Sequence, residues 1–595
     1  MSENKRIFLS GAIIAGLLLL IPPYLNFIGV SFDSNIIEEN NAGSQLDVDS
    51  KELKKRLENK QKNEALLLNS SQTLQNDRDA NELIYFNIQT DKLNLSLSNE
   101  SGGSIKELVL VSSVEDGHKY MGGYDSNDIY QDSLNVSLVL NETKCSPCLS
   151  YLGGEKEVFI DVPFSVLSPK IKNNEKFVLT GGDSLVVNMS AVVNDVIVYK
   201  QTTYFGDKYL IKHSYEVVPP SSFDYNKFNL SWYGGIRNTE KDRVFEVSQY
   251  TQAYLAQNKN IEDFYISPDI NDSYSSVSFE GKTDWSAIRN KYFINAFVSS
   301  VADGGFLGGE SASTESGFVT PEYSMGLSFS GKKHFDVVQF LGPLDVDHID
   351  SANTYLDYVM NFGWLPIQPF SRAVLWLLKF LHGFGLNYGV VLILFALLIR
   401  FITGPLTKKS FESSQNMQKI QPKIKKIQAK FKNDTQRMNR EIMELYKNSG
   451  VNPLGGCLPM LIQMPLLFSL FIVFRSTIEF RGAPFVFWIN NLSQPDTIFY
   501  LPFSIPIYGN QFAVLPVFLG LSMFLSQKLS METMDSKQKP MMYMMSVFFF
   551  LLFNSFPSGL NLYYMVYNLL NYQQQRSMRE GSSSAGGFLS SLGIK

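Results

Sequence analysis

The order of apolar and polar positions divides the 595-residue chain into regions of different character. Behind Lys5 and Arg6 lies a mostly apolar run that is long enough to span a bilayer. A charged and polar stretch with few aromatic residues follows, which is typical of a tether. The pattern predicts an uncleaved signal-anchor helix over residues 1–30 and a flexible tether over 31–80, with the N-terminus in the cytoplasm.

The next region, residues 81–355, alternates apolar and polar positions over short stretches. Examples are DKLNLSLSN, SLVVNMSAVV and HFDVVQFLG, and glycine pairs separate many of these stretches. Alternation with period two predicts half-buried strands, and the glycine pairs predict turns between them. We therefore expect an exported all-β domain built as a large sandwich of antiparallel sheets.

This predicted β domain carries no recognisable catalytic motif. The segment GKTDW at Gly281 lacks the first glycine of a phosphate-binding loop, since Ser276 stands there. The acidic cluster DVDHID over 345–350 lacks the turn glycine of a calcium loop, which favours solvated surface over a metal site. We expect no enzyme activity, no metal and no cofactor. A cleft that binds glycans remains an alternative for this domain.

Two cysteines, Cys145 and Cys148, form the motif CSPC within the exported region, where thiols can oxidise. A redox motif of the thioredoxin type needs a βαβ context, and the surrounding pattern has none. A local disulfide or two idle thiols is therefore favoured over redox chemistry.

Residues 364–385 have a different periodicity from the β domain. Arg372, Lys379 and His382 share one face of a predicted helix, and apolar side chains cover the rest. This arrangement is typical of an amphipathic helix lying on the outer membrane surface. An ordinary surface helix is the alternative.

Long apolar runs fill the last third of the chain, and the final run is interrupted by the turn signal FPSGLN. That run has about 32 residues, which is enough for two short spans. The predicted fold is thus a five-helix membrane core over 386–576, with six transmembrane helices in total, joined to the β domain. The apolar runs comprise residues 387–406, 454–474, 512–529 and 541–572.

A basic loop over 407–450 sets the orientation of this core. It holds eleven Lys and Arg residues against four acids, so the positive-inside rule places it, and the tail 577–595, in the cytoplasm. Apolar residues at helical spacing on both sides of Asp434 predict a helical hairpin. One face of the first helix of this hairpin is basic. This basic face is an orientation signal with a solvated surface, or it also contacts anionic lipid, ribosomal RNA or a nascent chain. It consists of Lys419, Lys423, Lys426 and Lys430.

Arg400 lies inside the first core span, where a bare arginine costs about 3 kcal/mol. Thr403 and Thr407 share its helical face, Gln463 adds a polar group in the next span, and no acid within the core spans can neutralise the charge. These groups either line a wet cavity that takes an acidic guest or make hydrogen bonds within a dry bundle. The last span carries a polar stripe at helical spacing: Asn561, Tyr564, Asn568, Asn571 and Gln575.

These sequences resemble the YidC/Oxa/Alb family of membrane protein insertases, in the form found in Gram-negative bacteria. The resemblance is carried by IRFITGPLTKKSFESSQNMQKIQPKIKKIQ, LYKNSGVNPLGGCLPMLIQMPLLFSLF, APFVFWINNLS and FPSGLNLYYMVYNLLNYQQQ. It implies a β-supersandwich for the exported domain and a water-filled groove in the core, open to the cytoplasm and to lipid. It places the groove arginine at Arg400 and a tyrosine pair at Tyr563 and Tyr564, with Gln463 nearby.

The implied function is insertion and folding of nascent membrane proteins in the bacterial inner membrane, alone or with the Sec translocon. The expected partners are nascent membrane proteins, the Sec translocon, the ribosome through the basic hairpin and tail, and anionic lipids. DNA is not expected among them. The alternatives are a transporter that binds an anion or small solute at Arg400, and a membrane-anchored glycan-binding protein.

Overall fold

The computed structural model describes residues 82–112, 118–140, 145–153, 156–218, 227–258, 260–266, 274–313, 319–349, 355–364, 366–451, 458–505, 508–531 and 539–579. The predicted signal anchor, the tether and most of the tail lie outside these residues.

An all-β domain forms the first half of the described chain, as the alternating pattern predicts. Its strands are β1 (Tyr85–Gln89), β2 (Leu93–Ser98), β3 (Ser104–Leu110), β4 (Met121–Tyr124), β5 (Tyr130–Asn135), β6 (Ser137–Leu140), β7 (Cys148–Gly153), β8 (Lys156–Phe159), β9 (Ser165–Ser168), β10 (Glu175–Val178), β11 (Ser184–Val193), β12 (Val196–Phe205), β13 (Leu210–Val218), β14 (Lys227–Trp232), β15 (Gln252–Gln257), β16 (Asn260–Phe264), β17 (Ser275–Glu280), β18 (Trp285–Arg289), β19 (Phe293–Val298), β20 (Gly304–Ser313), β21 (Val319–Ser330) and β22 (His334–Pro343).

Three large sheets build this domain. The orders are β10-β1-β2-β3-β6, β16-β15-β18-β19-β22-β13-β12-β11-β9 and β17-β20-β21-β14-β7-β8, and β4 pairs with β5. Neighbouring strands are antiparallel except β1 and β10. The nine- and six-stranded sheets pack face to face, because Phe329 of β21 stacks on Phe335 of β22 with ring centroids 4.1 Å apart. The sandwich expectation is confirmed.

Along β12 every second residue is buried, so this strand shows the period that the sequence indicates. Cys145 and Cys148 form a local disulfide at the start of β7, which is one of the two favoured alternatives.

Helices make up the rest: α1 (Arg243–Gln249) and α2 (Val346–Ile349) in the β domain, then α3 (Gln368–His382), α4 (Tyr388–Lys430), α5 (Thr435–Asn448), α6 (Leu458–Ser476), α7 (Leu515–Met531), α8 (Lys539–Phe553) and α9 (Ser558–Arg579). Short 3-10 helices cover Tyr355–Met360 and Ile478–Phe480. The helical region thus follows the predicted order.

α4 is one continuous helix that covers both the first core span and the first arm of the basic hairpin. Asp434 ends the hairpin turn and caps α5, since its carboxylate accepts from the backbone N–H of Arg437 at 3.0 Å. Among the described helices, the segment Tyr388–Met417 is long and apolar enough by itself to cross a membrane, and Gln463–Ser476 is a shorter apolar helix.

The FPSGLN segment does break the last apolar run, because α8 ends at Phe553 and α9 begins at Ser558. Gly559 is needed in this turn, since a Cβ there would lie 2.5 Å from a ring carbon of Phe474. One boundary differs from the prediction. Phe512 lies in a hairpin of β23 (Thr497–Ile505) and β24 (Gly509–Ala513), and the apolar helix α7 begins only at Leu515.

The amphipathic helix α3 turns its charges toward the β domain. Lys379 pairs with Asp345 at 3.3 Å and with Asp347 at 2.6 Å, and Arg372 pairs with Asp357 at 2.6 Å. The acidic cluster at 345–350 therefore has a lysine partner, and within the described residues no group of acids and histidines is arranged to hold a metal. The exposed side of α3 carries Trp376 and Phe380, and Phe384 is exposed just beyond the end of the helix.

Candidate substrate groove in the helical core

The side chain of Arg400 is buried inside the helical core, with 2% of its surface exposed. Its Nη1 donates to the Thr407 hydroxyl at 3.3 Å, while Nε and Nη2 have no hydrogen-bond partner among the described residues. The guanidinium carbon lies 5.6 Å from the centroid of the Tyr567 ring, which is within range of a cation–π interaction. Within the described part of the chain, most of the hydrogen-bonding capacity of this buried cation is therefore unused.

The two threonines below Arg400 act differently. The Thr403 hydroxyl donates to the carbonyl of Ile399, one turn earlier in α4, at 2.8 Å. The Thr407 hydroxyl donates to the carbonyl of Thr403 at 3.1 Å and accepts from Arg400. Spacing predicts both threonines on the helical face of Arg400, and Thr407 is the one that contacts the guanidinium.

α9 presents two polar faces rather than one. Toward α4 it turns Tyr563, whose ring lies 5.6 Å from that of Phe395, then Tyr567 beside Arg400, and Gln574, which donates to the carbonyl of Gly404 at 3.3 Å. These spacings of four and seven residues define a stripe that packs against α4.

The predicted stripe of α9 faces mainly α7 and α8. Asn571 donates to the Ser526 hydroxyl of α7 at 2.9 Å, and Asn561 donates to the carbonyl of Phe553 at 3.1 Å. Tyr564 packs edge to face on Phe553, with ring centroids 5.7 Å apart. Asn568 is half-buried. At its ends, then, this stripe makes the interhelical hydrogen bonds that the dry-bundle alternative describes.

Several buried polar atoms in the middle of the core have no hydrogen-bond partner among the described residues. Besides the two Arg400 nitrogens they are Gln463 Nε2, Asn561 Oδ1, Tyr563 Oη and Tyr564 Oη. The Gln463 side chain of α6 is a neighbour of Tyr563. A buried polar group without a partner costs about 1–3 kcal/mol, so such a cluster is normally satisfied by water or by a ligand. The predicted residues Arg400, Gln463, Tyr563 and Tyr564 all belong to it.

Sequence reasoning missed Tyr567, which lies between Arg400 and Tyr563. Tyr567 is four residues beyond Tyr563 on α9, and their rings stack with centroids 6.0 Å apart. The helical spacing from Tyr563 was a usable signal. The sequence pattern did not single out Tyr567, because the aromatic ring of a tyrosine also fits an apolar helical bundle.

The basic face of the hairpin is fully exposed: Lys419, Lys423, Lys426 and Lys430 are all on the surface. The opposite side of this arm buries Ile420 and Ile424. None of the four lysines forms an ion pair with a described residue, and Lys419 donates to the Asn416 side chain at 3.1 Å. Their charges are available to a partner.

Comparison with known proteins gives the same family from two parts of the chain. A family model described as the 60Kd inner membrane protein matches residues 380–584, and one described as the YidC periplasmic domain matches residues 170–377. The membrane protein insertase YidC of Chlorobaculum tepidum is 31% identical over 506 residues, covering 82% of this chain and 81% of that protein. The YidC insertase of Chlorobium phaeovibrioides is 36% identical over 413 residues, covering 67% of this chain and 69% of that protein.

Among solved structures, an active YidC insertase with its first transmembrane domain resolved overlaps 81% of this chain and 90% of that chain. The sequence identity is 17% and the TM-score is 0.33, so the assignment rests on the sequence relatives.

A helical core with a polar interior, joined to a large periplasmic β domain, is the build of an inner-membrane protein. The chain belongs to the YidC family of membrane protein insertases. The resemblance inferred from its motifs is confirmed, and so is the expectation that the chain is not an enzyme. Neither alternative function, solute transport or glycan binding, is favoured by this membership.

Proposed function

We propose that this protein inserts nascent membrane proteins by receiving a hydrophilic segment of the client between α4, α6 and α9. Arg400 binds that segment, with Tyr563, Tyr564, Tyr567 and Gln463 around it. The observation that carries the proposal is a buried guanidinium with two nitrogens that have no partner in the described structure. An acidic tail supplies the missing acceptors and the missing negative charge.

The proposed path begins in the cytoplasm, where the exposed lysines of the hairpin meet the ribosome, the nascent chain or anionic headgroups. The polar segment enters the groove and bonds to Arg400, so that less apolar thickness remains to be crossed. The apolar helix of the client leaves sideways into lipid. Each step is binding and release, and no covalent bond changes.

The proposed topology has six transmembrane helices, with both termini in the cytoplasm and the β domain in the periplasm. The five described core helices supply five of these spans, and the predicted anchor supplies the sixth. Work with the Sec translocon is part of the proposal for clients whose exported parts are long.

The test is depletion of the native protein followed by rescue with variants of Arg400. Arg400→Glu removes the binding charge and repels an acidic tail. Because hydrogen bonds to charged groups contribute about 1.5–3 kcal/mol, we expect insertion of an acidic-tailed client to fall roughly tenfold or more. The measurement is protease protection of the client tail in inverted membrane vesicles.

Two further arms identify the cause. Arg400→Lys keeps the charge and should retain most activity, while the same clients with a neutral tail should depend less on Arg400. Lys208→Glu, on an exposed loop of the β domain, makes the same charge reversal away from the groove and should have no effect. Full rescue of acidic clients by Arg400→Glu would disprove charge capture.

A further inference from the structure

Two charged residues just beyond the outer end of α6 are buried where the helical core meets the β domain. Glu479 lies within the 3-10 helix Ile478–Phe480 and Arg481 follows it directly, and their side chains are 4% and 3% exposed. Their sequence position, past the end of a span, indicates solvated loop residues. Their burial therefore needs partners from elsewhere in the chain.

Arg481 uses all of its N–H donors within the β domain. Nε donates to the Glu240 carboxylate at 2.8 Å. Nη1 donates to the carbonyls of Lys119 and Met121 at 2.6 and 2.8 Å, and Nη2 to those of Gly122 and Thr239 at 3.0 and 2.9 Å. A guanidinium has five such hydrogens, so this side chain is saturated.

Glu479 ties together three other elements. Its carboxylate pairs with Lys119 of the β domain at 2.6 Å and with Lys379 of α3 at 3.2 Å, and it accepts from the hydroxyl of Tyr388 at the start of α4 at 2.6 Å. Burial alone would raise the pKa of this carboxyl, but Lys119 and Lys379 outweigh burial and lower it. Glu479 is therefore a fixed negative charge at a junction of four elements.

The junction continues into the segment 491–494, which contacts the start of α9. Gln494 donates to the second oxygen of Glu240 at 3.4 Å, and the backbone N–H of Gly482, next to Arg481, donates to Asn491 at 3.1 Å. The turn before α9 rests on the same segment. Ser558 donates to the carbonyl of Asn491 through its hydroxyl at 2.9 Å, and to that of Gln494 through its N–H at 2.8 Å.

We infer that the periplasmic β domain helps to close the periplasmic end of the groove in the insertase core. We call this closed end the outer closure. Four backbone carbonyls of the β domain hold Arg481, and Arg481 and Glu240 hold the segment 491–494. That segment holds the first turn of α9, the helix that carries Tyr563 and Tyr564. Arg481 and Glu479 are thus positioning residues for the groove. The inference rests on the proposed function only in calling this space the outer end of a client groove.

The experiment measures access to the closure from outside in the full-length protein. Ser558→Cys places a thiol of nearly the same size beneath segment 491–494, in a Cys457→Ser background, while Cys145 and Cys148 are paired in their disulfide. Spheroplasts are treated with a membrane-impermeant maleimide, and the rate of labelling is measured with no client present. We expect slow labelling in this parent and about a tenfold faster rate after Arg481→Ala.

Graded variants test the cause. Arg481→Lys keeps the charge but offers fewer donors and should give an intermediate rate, and Glu240→Gln should raise the rate a few-fold. Lys106→Ala breaks an ion pair with Glu100 inside the β domain and should leave the rate unchanged. If Arg481→Ala fails to accumulate, Glu240→Gln decides the question.

Unchanged labelling in every variant of Arg481 and Glu240 that accumulates would overturn the inference. The Arg400 variants separate it from the proposed function. Arg400→Glu should stop insertion of acidic clients without changing the labelling of position 558, so failure of the charge-capture proposal leaves the closure result standing.

Discussion

Two buried arginines in this protein have nearly the same exposure and opposite surroundings. Arg481, 3% exposed, donates through all of its N–H groups to a carboxylate and four carbonyls. Arg400, 2% exposed, makes one hydrogen bond to a threonine and lies beside a tyrosine ring. The fold itself satisfies the first arginine, whereas two nitrogens of the second have no hydrogen-bond partner among the described residues. The number of donors in use therefore distinguishes the two sites, and burial does not.

Arg481 and Arg400 should differ most in what their removal does to stability. Removing one partner of a buried ion pair costs about 3–5 kcal/mol, so Arg481→Ala should lower the unfolding free energy by that amount. Arg400→Leu removes donors that the fold leaves unpaired and should be neutral or stabilising. Thermal unfolding of both detergent-solubilised full-length variants measures this. An equal loss of stability in both would mean that the two sites have the same character.

The next effect concerns how the stability of the region around Arg481 depends on pH. Glu246 is fully buried and accepts from the N–H groups of Thr239 and Glu240 at 2.8 and 3.0 Å, and both of those residues contact Arg481. Burial, and then the Glu240 charge, raise the pKa of Glu246 from 4.5 to about 7. An acid whose pKa is higher in the folded state stabilises the fold below its unfolded pKa.

That contribution should disappear as pH rises from about 4.5 to 7, a loss of roughly 3 kcal/mol for such a shift. The melting temperature of the full-length protein, measured across this range, should fall less steeply in Glu246→Gln than in the parent. Identical slopes would show that Glu246 is not the titrating group.

A smaller effect on insertion is expected from Tyr567, the residue next to Arg400. Tyr567→Leu removes the ring beside the guanidinium, and a cation–π interaction contributes about 0.5–2 kcal/mol. We expect insertion of acidic-tailed clients to fall a few-fold, with Tyr567→Phe close to the parent because the ring remains. An equal loss in the Phe and Leu variants would assign the role to the hydroxyl instead.

The weakest effect should be at the exposed lysines of the hairpin, none of which forms an ion pair with a described residue. A lysine near an anionic surface contributes about 1 kcal/mol, so Lys423→Gln should weaken binding to vesicles containing anionic lipid about fivefold. Lys208→Gln, on the β domain, is the control. Binding that does not change with salt would exclude an electrostatic contact.

The order of elements was predictable from the sequence, because hydropathy and alternation are local properties. The strands of the β domain, the turn at Ser558 and the cap at Asp434 all follow from patterns a few residues long. Arg400 was also predictable, since a charge inside an apolar run is visible without a structure.

The rotation of α9 was not predictable from its own sequence. The stripe through Asn561 and Asn571 is the most polar face of the helix, yet the face that meets Arg400 carries Tyr563 and Tyr567. Packing against two neighbouring helices sets that rotation. The buried state of Arg481 was hidden for a related reason, because its carboxylate partner, Glu240, lies 241 positions earlier in the chain.

The length of α4 has a mechanical consequence. The helix carries Arg400 near one end of its polar segment and the exposed lysines near the other, without a break. Pro422 and Pro405 both lie between Arg400 and Lys426, and Pro405, the one nearer to Arg400, removes the backbone hydrogen bond to the carbonyl of Phe401. The arm from there to Lys426 is roughly 30 Å long at 1.5 Å per residue, so a displacement of about 3 Å at the lysines tilts it by about 5°. Force applied to the hairpin would therefore tilt this arm about the turn of helix next to Arg400.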